Sequence, residues 1–261
     1  MIDETVGKGS TPGPCPRRPA RGAADLHALN ATPAPVRADA RGQEGRKLLD
    51  LLHEAGAATL ERRYTRAEVI FVEGNPGNAL YVITEGVVKL CRGYAGGKEA
   101  TLMLLGPWEV FGELAFGREV CQYARAESVT ACRVRKIPKV FVERVVHSGP
   151  EAALTLVDLL RLELARYREM AGCLMPRKAD AKLANLLPIL ARKFGDEEEG
   201  RLVIRLRLTQ EDLAKMISTT RESVACALAD LRRRGVLAVV GGRIVILDPD
   251  GLANTGGRRE A

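Results

Sequence analysis

Aromatic side chains are scarce. Five Phe, five Tyr and one Trp make up 4% of 261 residues, so the core has to be built from Leu, Val, Ile and Ala. Histidine is scarcer still: His27, His53 and His147 stand apart from one another. The six cysteines, Cys15, Cys91, Cys121, Cys132, Cys173 and Cys226, are scattered and form no CxxC pair. That spacing suits neither a disulfide scaffold nor an iron–sulfur cluster, and it fits a reducing compartment. No apolar run reaches the ~18 residues that mark a membrane-spanning helix. The first residues lack the apolar stretch of a secretory signal, so the expected location is the cytoplasm.

What is present is an ordinary globular composition, 46% hydrophobic and 28% charged, with 40 basic against 33 acidic residues. The excess is uneven: residues 176–261 carry 16 basic and 12 acidic residues, more than half of the net +7. Residues 1–45 hold six of the thirteen prolines and few bulky apolar groups. Such a segment cannot bury enough surface to offset its ordering entropy, which predicts a disordered leader.

From 46 onward the chain changes texture. A short helix is expected from Leu48 to Leu60. Closely spaced β-prone runs follow (69–72, 80–83, 87–90, 101–105, 129–134), separated by Gly-rich turns, including Gly74-Asn75-Pro76-Gly77. Short strands at this spacing predict a sandwich or barrel over 46–150. After Ile137-Pro138 the period becomes helical. A short helix over 139–147 is broken by Ser148-Gly149-Pro150, and a long one is expected over about 151–174. Its residues Ala153, Val157, Leu160, Leu164, Tyr167, Ala171 and Leu174 recur at alternating gaps of four and three, the a/d seam of a coiled coil. That seam predicts a parallel homodimer through Val157, Leu160, Leu164, Tyr167 and Ala171. Leu156, Leu159 and Leu162 widen the stripe toward the chain's own β domain.

The remainder, 176–252, reads as a DNA-binding unit, with 253–261 as a tail. An apolar helix over 180–194 is followed by an acidic run, 196–200, expected as a solvated loop, and by a strand pattern over 202–208. Thr209 caps a helix, with Asp212 as a short-armed capping-box acid. Ser218-Thr219-Thr220 is the turn and second cap. The next helix, about 220–233, buries Val224, Leu228 and Leu231 and exposes Arg221, Glu222, Ser223 and Cys226. A hairpin across Gly241-Gly242 completes a winged helix-turn-helix. The second helix would enter the major groove, where arginine pairs with guanine and a carboxylate accepts from cytosine. Thr209, Gln210, Ser218, Thr219 and the wing residue Arg243 are placed to meet phosphates, and Thr220, at the start of the second helix, belongs to the same DNA-binding set.

Five motifs carry a resemblance: 72–81 (Val-Glu-Gly-Asn-Pro-Gly-Asn-Ala-Leu-Tyr), Glu85 to Leu90, Phe111-Gly112-Glu113-Leu114, Leu208 to Ala214, and Thr220-Arg221-Glu222-Ser223-Val224. In this order and spacing the chain resembles the cyclic-AMP receptor protein / fumarate-nitrate regulator (CRP/FNR) superfamily of bacterial transcription factors. The resemblance implies an α+β chain with an N-terminal β-roll effector domain of jelly-roll type, a dimerisation helix (151–175) and a C-terminal winged helix on a palindromic promoter site. It also implies RNA polymerase as a partner, with no catalytic role.

By the same resemblance, Gly112, Glu113, Leu114, Gln122, Tyr123, Tyr167 and Arg168 are the candidate effector-binding positions. The Arg-Ser pair that holds the cyclic phosphate in cyclic-AMP binders falls here on Gln122-Tyr123, which points away from cyclic AMP. The pair that meets adenine falls on Tyr167-Arg168. A small effector of another kind is expected. Like this chain, the cyanobacterial nitrogen regulators, which bind 2-oxoglutarate, lack the phosphate arginine; Arg166 and Arg168 are then carboxylate candidates, although Glu163 stands where that group has its key arginine. Haem would need an axial ligand, for which only Cys121 offers itself. Thiol sensing through Cys121 or Cys226 and a ligand-free regulator stay open, while Cys91 and Cys132, in strands, are expected to be buried and inert. On the DNA side, the family's half-site readers are Arg, Glu and a second Arg four residues on; here they are Arg221, Glu222 and Cys226. The reading of a different class, a β-barrel enzyme of the cupin type, would require a His-rich metal set that three scattered histidines do not supply.

Overall fold

A computed structural model describes residues 43–257 except 55, 113–120 and 199. The expected leader therefore lies outside the described residues but for its last three positions, which already belong to helix α1, Gln43–Glu54. That helix begins and ends several residues earlier than its apolar pattern suggested.

Eight strands follow: β1 (Leu60–Tyr64), β2 (Val69–Phe71), β3 (Ala79–Glu85), β4 (Val88–Tyr94), β5 (Lys98–Leu105), β6 (Val110–Phe111), β7 (Arg125–Ser128) and β8 (Cys132–Pro138). They form two four-stranded antiparallel sheets, ordered β1-β8-β3-β6 and β2-β7-β4-β5. Between the sheets lies the expected core of aliphatic side chains, including Ile83, Val88, Leu90, Leu105 and Val134. Three of the few aromatics are concentrated there: the Tyr81 ring lies 5.2 Å from both Phe71 and Phe111. Large rings at these separations contribute their area and their edge and face preferences together.

Helices α2 (Lys139–Ser148) and α3 (Pro150–Leu174) follow the roll. With α1 they seal a second apolar layer in which Leu48, Leu52, Leu80, Val82, Ile137, Val142, Leu156 and Leu159 are buried. Helix α1 can settle here because Gly45 has no side chain: a Cβ on it would come within 2.2 Å of the Trp108 carbonyl oxygen. The Arg46 guanidinium then stacks over the Trp108 ring at 4.3 Å.

The C-terminal unit comprises α4 (Ala179–Phe194), β9 (Gly195–Glu198), β10 (Arg201–Ile204), α5 (Gln210–Ile217), α6 (Arg221–Arg233), β11 (Leu237–Val240), β12 (Arg243–Ile246) and α7 (Pro249–Gly256). Two expectations are corrected here. The acidic run expected as a loop begins as strand β9, paired with β10, because Arg205 takes up its charge through Asp196 (3.0 Å) and Glu198. The tail expected from 253 is still helical through Gly256. It is held to α4 by the Asn185 side-chain amide, which donates to the Gly256 carbonyl at 3.1 Å.

The two units share one core. Val87 and Leu104 of the β-roll are buried with Leu186, Leu190, Phe194 and Met216 of the C-terminal unit. Beside this contact sits Glu109, only 4% exposed. Its carboxylate meets Arg166 of α3 at 2.9 Å and Lys193 of α4 at 2.8 Å, and it accepts the Gly106 N–H at 2.6 Å. Lys193 also donates to the Leu104 carbonyl at 2.6 Å. Nearby, Arg192 reaches both oxygens of Glu169 at 2.7 Å. Removing one member of a buried ion group leaves its partners' charge uncompensated, at a cost of about 3–5 kcal/mol. Glu109→Gln is thus expected to lower the urea stability of the chain by about 3 kcal/mol, toward the low end of that range because the amide keeps a hydrogen-bond acceptor for Gly106. An unchanged urea midpoint would show that the junction does not depend on this carboxylate.

Candidate nucleic-acid interface

The helix-turn-helix is built by its caps. Thr209 Oγ1 accepts the Asp212 N–H at 3.1 Å, and the Asp212 carboxylate accepts the Thr209 N–H at 2.8 Å. This reciprocal box satisfies donors that the first helical turn leaves without partners. Helix α5 stops where Ser218 adopts a left-handed conformation, φ 50°. After this turn Thr220 caps α6, its hydroxyl accepting the Ser223 N–H at 3.2 Å. Val224, Ala227, Leu228 and Leu231 then point into the core. The opposite face carries Arg221, Glu222 and Cys226, all exposed, with Ser223 half-buried.

The start of this face sets a guanidinium, Arg221, beside a carboxylate, Glu222. The backbone N–H of Glu222 at the helix start, then the Thr220 hydroxyl, hold the Glu222 carboxyl below its usual range. At neutral pH it is therefore an anion, the form that accepts a hydrogen bond from cytosine. Arg221 borders a shallow depression with Thr209, Gln210 and Glu211. A larger open groove of about 710 Å³ runs alongside, past Thr209, Gln210 and Arg232 to the wing turn Gly241-Gly242. Of the expected phosphate ligands, Thr209 and Gln210 line this groove; Thr209, Ser218 and Thr220 are exposed, and Gln210 and Thr219 are half-buried.

One expected phosphate contact is misplaced. Arg243 is 3% exposed, as are its strand neighbours nearly to the same degree, so its side chain is held within the C-terminal unit rather than offered to solvent. The turn position that suggested a wing-tip contact does not say which face of the strand a residue occupies.

The effector candidates are less gathered. Glu113 and Leu114 lie outside the described residues. Gly112 has φ 96°, and a Cβ on it would come within 2.8 Å of the Tyr81 ring. Gln122 is buried beside the Gly74-Asn75 turn, its backbone N–H donating to the Asn75 carbonyl at 2.7 Å. Tyr123 is half exposed beneath the Arg92 guanidinium, 4.0 Å from the ring. Tyr167 and Arg168 are exposed on α3. Arg166, the carboxylate candidate, is engaged by Glu109. That carboxylate and its partner Lys193 escaped the reading of the sequence, because a single Glu in a Gly-Pro-Trp-Glu turn gives no signal for partners on two distant helices.

The cysteines divide as their strands predict. Burial, opposed by local hydrogen bonds, pushes the Cys91 and Cys132 thiols up and leaves them poor nucleophiles. Cys121 and Cys226 are exposed. Among the described residues no group of three or more His, Cys, Asp or Glu is placed to hold a metal. No helix among them is long and apolar enough to cross a membrane.

The comparisons with known proteins agree with this architecture. Residues 61–148 match the cyclic nucleotide-binding domain, and residues 181–255 match the Crp-like helix-turn-helix domain. The chain is 32% identical over 190 residues to a CRP-like cAMP-activated global transcriptional regulator of Mycobacterium tuberculosis, covering 73% of this chain and 85% of that one. It is 29% identical over 211 residues to a global nitrogen regulator of Synechococcus elongatus, covering 79% and 95%. Among solved structures, a CRP/FNR-family transcriptional regulator of Thermus thermophilus superposes with a TM-score of 0.63 at 29% identity, over 77% of this chain and all of that one. With its β-roll effector domain, its long helix and its capped, outward-facing recognition helix, the chain belongs to the CRP/FNR family of transcriptional regulators.

Proposed function

We propose that the protein acts as a homodimer on a palindromic promoter site, with Arg221 and Glu222 reading base edges and Thr209, Gln210, Ser218, Thr219 and Thr220 positioning the helix on phosphates. The observation that carries this reading is the α6 N-terminus: a hydroxyl-capped helix start whose exposed residues are a guanidinium and an ionised carboxylate. The dimer reading is supported by the split of α3 into two faces. Ala152, Leu156 and Leu159 are buried against the β-roll. Val157, Leu160 and Leu164 are 58, 48 and 50% exposed, and Tyr167 and Ala171 continue the same outward line. An exposed apolar row of this length calls for a partner, and a second α3 supplies one by knobs-into-holes packing.

The effector is a small molecule other than cyclic AMP. In place of the arginine that would meet a cyclic phosphate stands Gln122, buried and without charge. The action is regulatory, in the cytoplasm, through the contact of the bound dimer with RNA polymerase, and no reaction is catalysed.

Three outcomes test these assignments. Arg221→Ala is expected to abolish operator-specific binding while sedimentation still reports a dimer; surviving specific binding would put the recognition face elsewhere. Leu160→Glu together with Leu164→Glu should yield a folded monomer, because charges on the seam repel in place of packing, and a dimer of undiminished strength would dismiss the seam. Cys226→Arg restores a third base-reading guanidinium, worth about 1–3 kcal/mol of discrimination for a bidentate guanine pair. Selection from a randomised operator pool should move toward TGTGA, the usual half-site of the family this chain resembles, in this variant, and identical pools from both proteins would remove Cys226 from the reading face.

A further inference from the structure

One side chain of the helix-turn-helix crosses to the effector domain. Lys215, near the end of α5, donates to Glu99 Oε2 of β5 at 3.1 Å. The other oxygen of that carboxylate, Oε1, accepts from Arg125 of β7. Arg125 also meets Glu127 at 3.0 Å, and Glu127 meets Lys89 of β4 at 2.7 Å. Charges of alternating sign thus run from α5 across β5 and β7 to β4. Lys89, Arg125 and Glu127 share the outer face of their sheet, since their chain neighbours Leu90, Ala124 and Ala126 are buried between the two sheets.

What seats α5 also aims the base readers. Leu213, Ala214 and Ile217 of α5 are buried with Val224, Leu228 and Leu231 of α6. The turn between the two helices is bonded to α5 itself, the Thr219 N–H donating to the Ala214 carbonyl at 3.1 Å. It is also bonded to α4, where Lys182 Nζ donates to the Ile217 carbonyl at 3.2 Å. The helix pair is therefore one body, and Arg221 and Glu222 move with α5.

In a dimer joined through α3, two such bodies have to present their α6 starts to successive turns of the major groove, about 34 Å apart. Glu109 holds α4 to the β-roll at one point, about which the unit can still turn. Lys215 and Glu99 hold α5 to the β-roll at a second. Two points fix an orientation where one does not. An orientation fixed beforehand is entropy that association no longer has to remove.

We propose that Glu99 is a positioning residue for operator recognition: through Lys215 it seats α5, and with it the recognition helix, on the effector domain in the posture that two half-sites require. This role rests on the DNA-binding reading above and extends it into the effector domain. Glu99 touches no base or phosphate and acts only through Lys215.

The test is the operator affinity of the full chain, with urea unfolding of the same variants. Long-range charge alone predicts opposite signs: Lys215→Met loses a cation and should weaken binding to a polyanion, whereas Glu99→Gln loses an anion and should strengthen it. The seat predicts one sign for both, a loss of about fivefold each, with the double variant no weaker than either single one. Lys215→Arg should keep the wild-type affinity, and Glu143→Gln, the same charge change on α2, should not weaken binding. In the free chain, Lys215→Met and Glu99→Gln should each speed amide exchange over α5 and its turn. Stronger binding by Glu99→Gln, or losses that add in the double variant, overturns the role. Unchanged affinity with a lowered urea midpoint overturns it too, and leaves the pair a contact of the fold alone. A wild type that selects no operator removes the DNA reading and this role with it, whereas a wild type and variants that bind one operator equally well remove the role alone.

Discussion

A buried carboxylate with two cations holds this molecule together at its junction. Glu109 belongs to the turn before β6, Arg166 to the long helix and Lys193 to the first helix of the C-terminal unit. An isolated ion in so dry a place would be costly, and two counter-charges plus a backbone N–H are what make its burial tolerable. The shared apolar core of Val87 and Leu104 with Phe194 and Met216 supplies area but little direction. The ion group supplies direction, since only one placement of α4 against the β-roll brings Lys193 to both Glu109 and the Leu104 carbonyl.

A second polar tie reinforces the first. Lys215 of α5 reaches Glu99 of β5 at 3.1 Å, and Arg125 shares the same carboxylate. Burial works against the charged form of Glu99, but the hydrogen bond from Lys215 and the charge of Arg125 outweigh it and leave its carboxyl below the usual range. A depressed carboxylate favours the folded state above its unfolded pKa, and that contribution is lost as pH falls through the folded value. At neutral pH the first helix of the DNA-binding motif is thus tethered to the effector domain. Any change in the β-roll that moves β5 or the Glu109 turn bears on α4 and α5, the helices that supply Lys193 and Lys215.

Much of this was legible along the chain. The change from period two to period 3.6 after Pro138, the a/d row on α3, the Thr209 and Thr220 caps and the polar face of α6 all depend on neighbours within a few residues. The structure kept each of them. What failed did so for want of nonlocal partners. Arg243 looked like a wing-tip cation because a turn residue precedes it, and only the packing of β12 between β10 and β11 shows that it is buried. The acidic run looked solvated because Arg205 is not recognisable in advance as its counter-charge. Likewise Arg166 looked like a ligand for an effector's carboxylate until Glu109 was seen to occupy it.

By itself, then, the amino-acid order determined the kind of protein: strands then helices, an outward apolar seam, and a recognition helix beginning Arg-Glu without a second arginine at Cys226. Those features follow from local periodicity and capping, which the chain carries wherever it folds. Tertiary structure alone decided which charges are spent and which are free. Pairing depends on distances between residues remote in sequence, so Glu109, Arg166 and Lys193 became an internal joint while Arg221 remained on the surface. A guanidinium reads the same in the sequence in either case, and only the fold settles whether a carboxylate stands within reach.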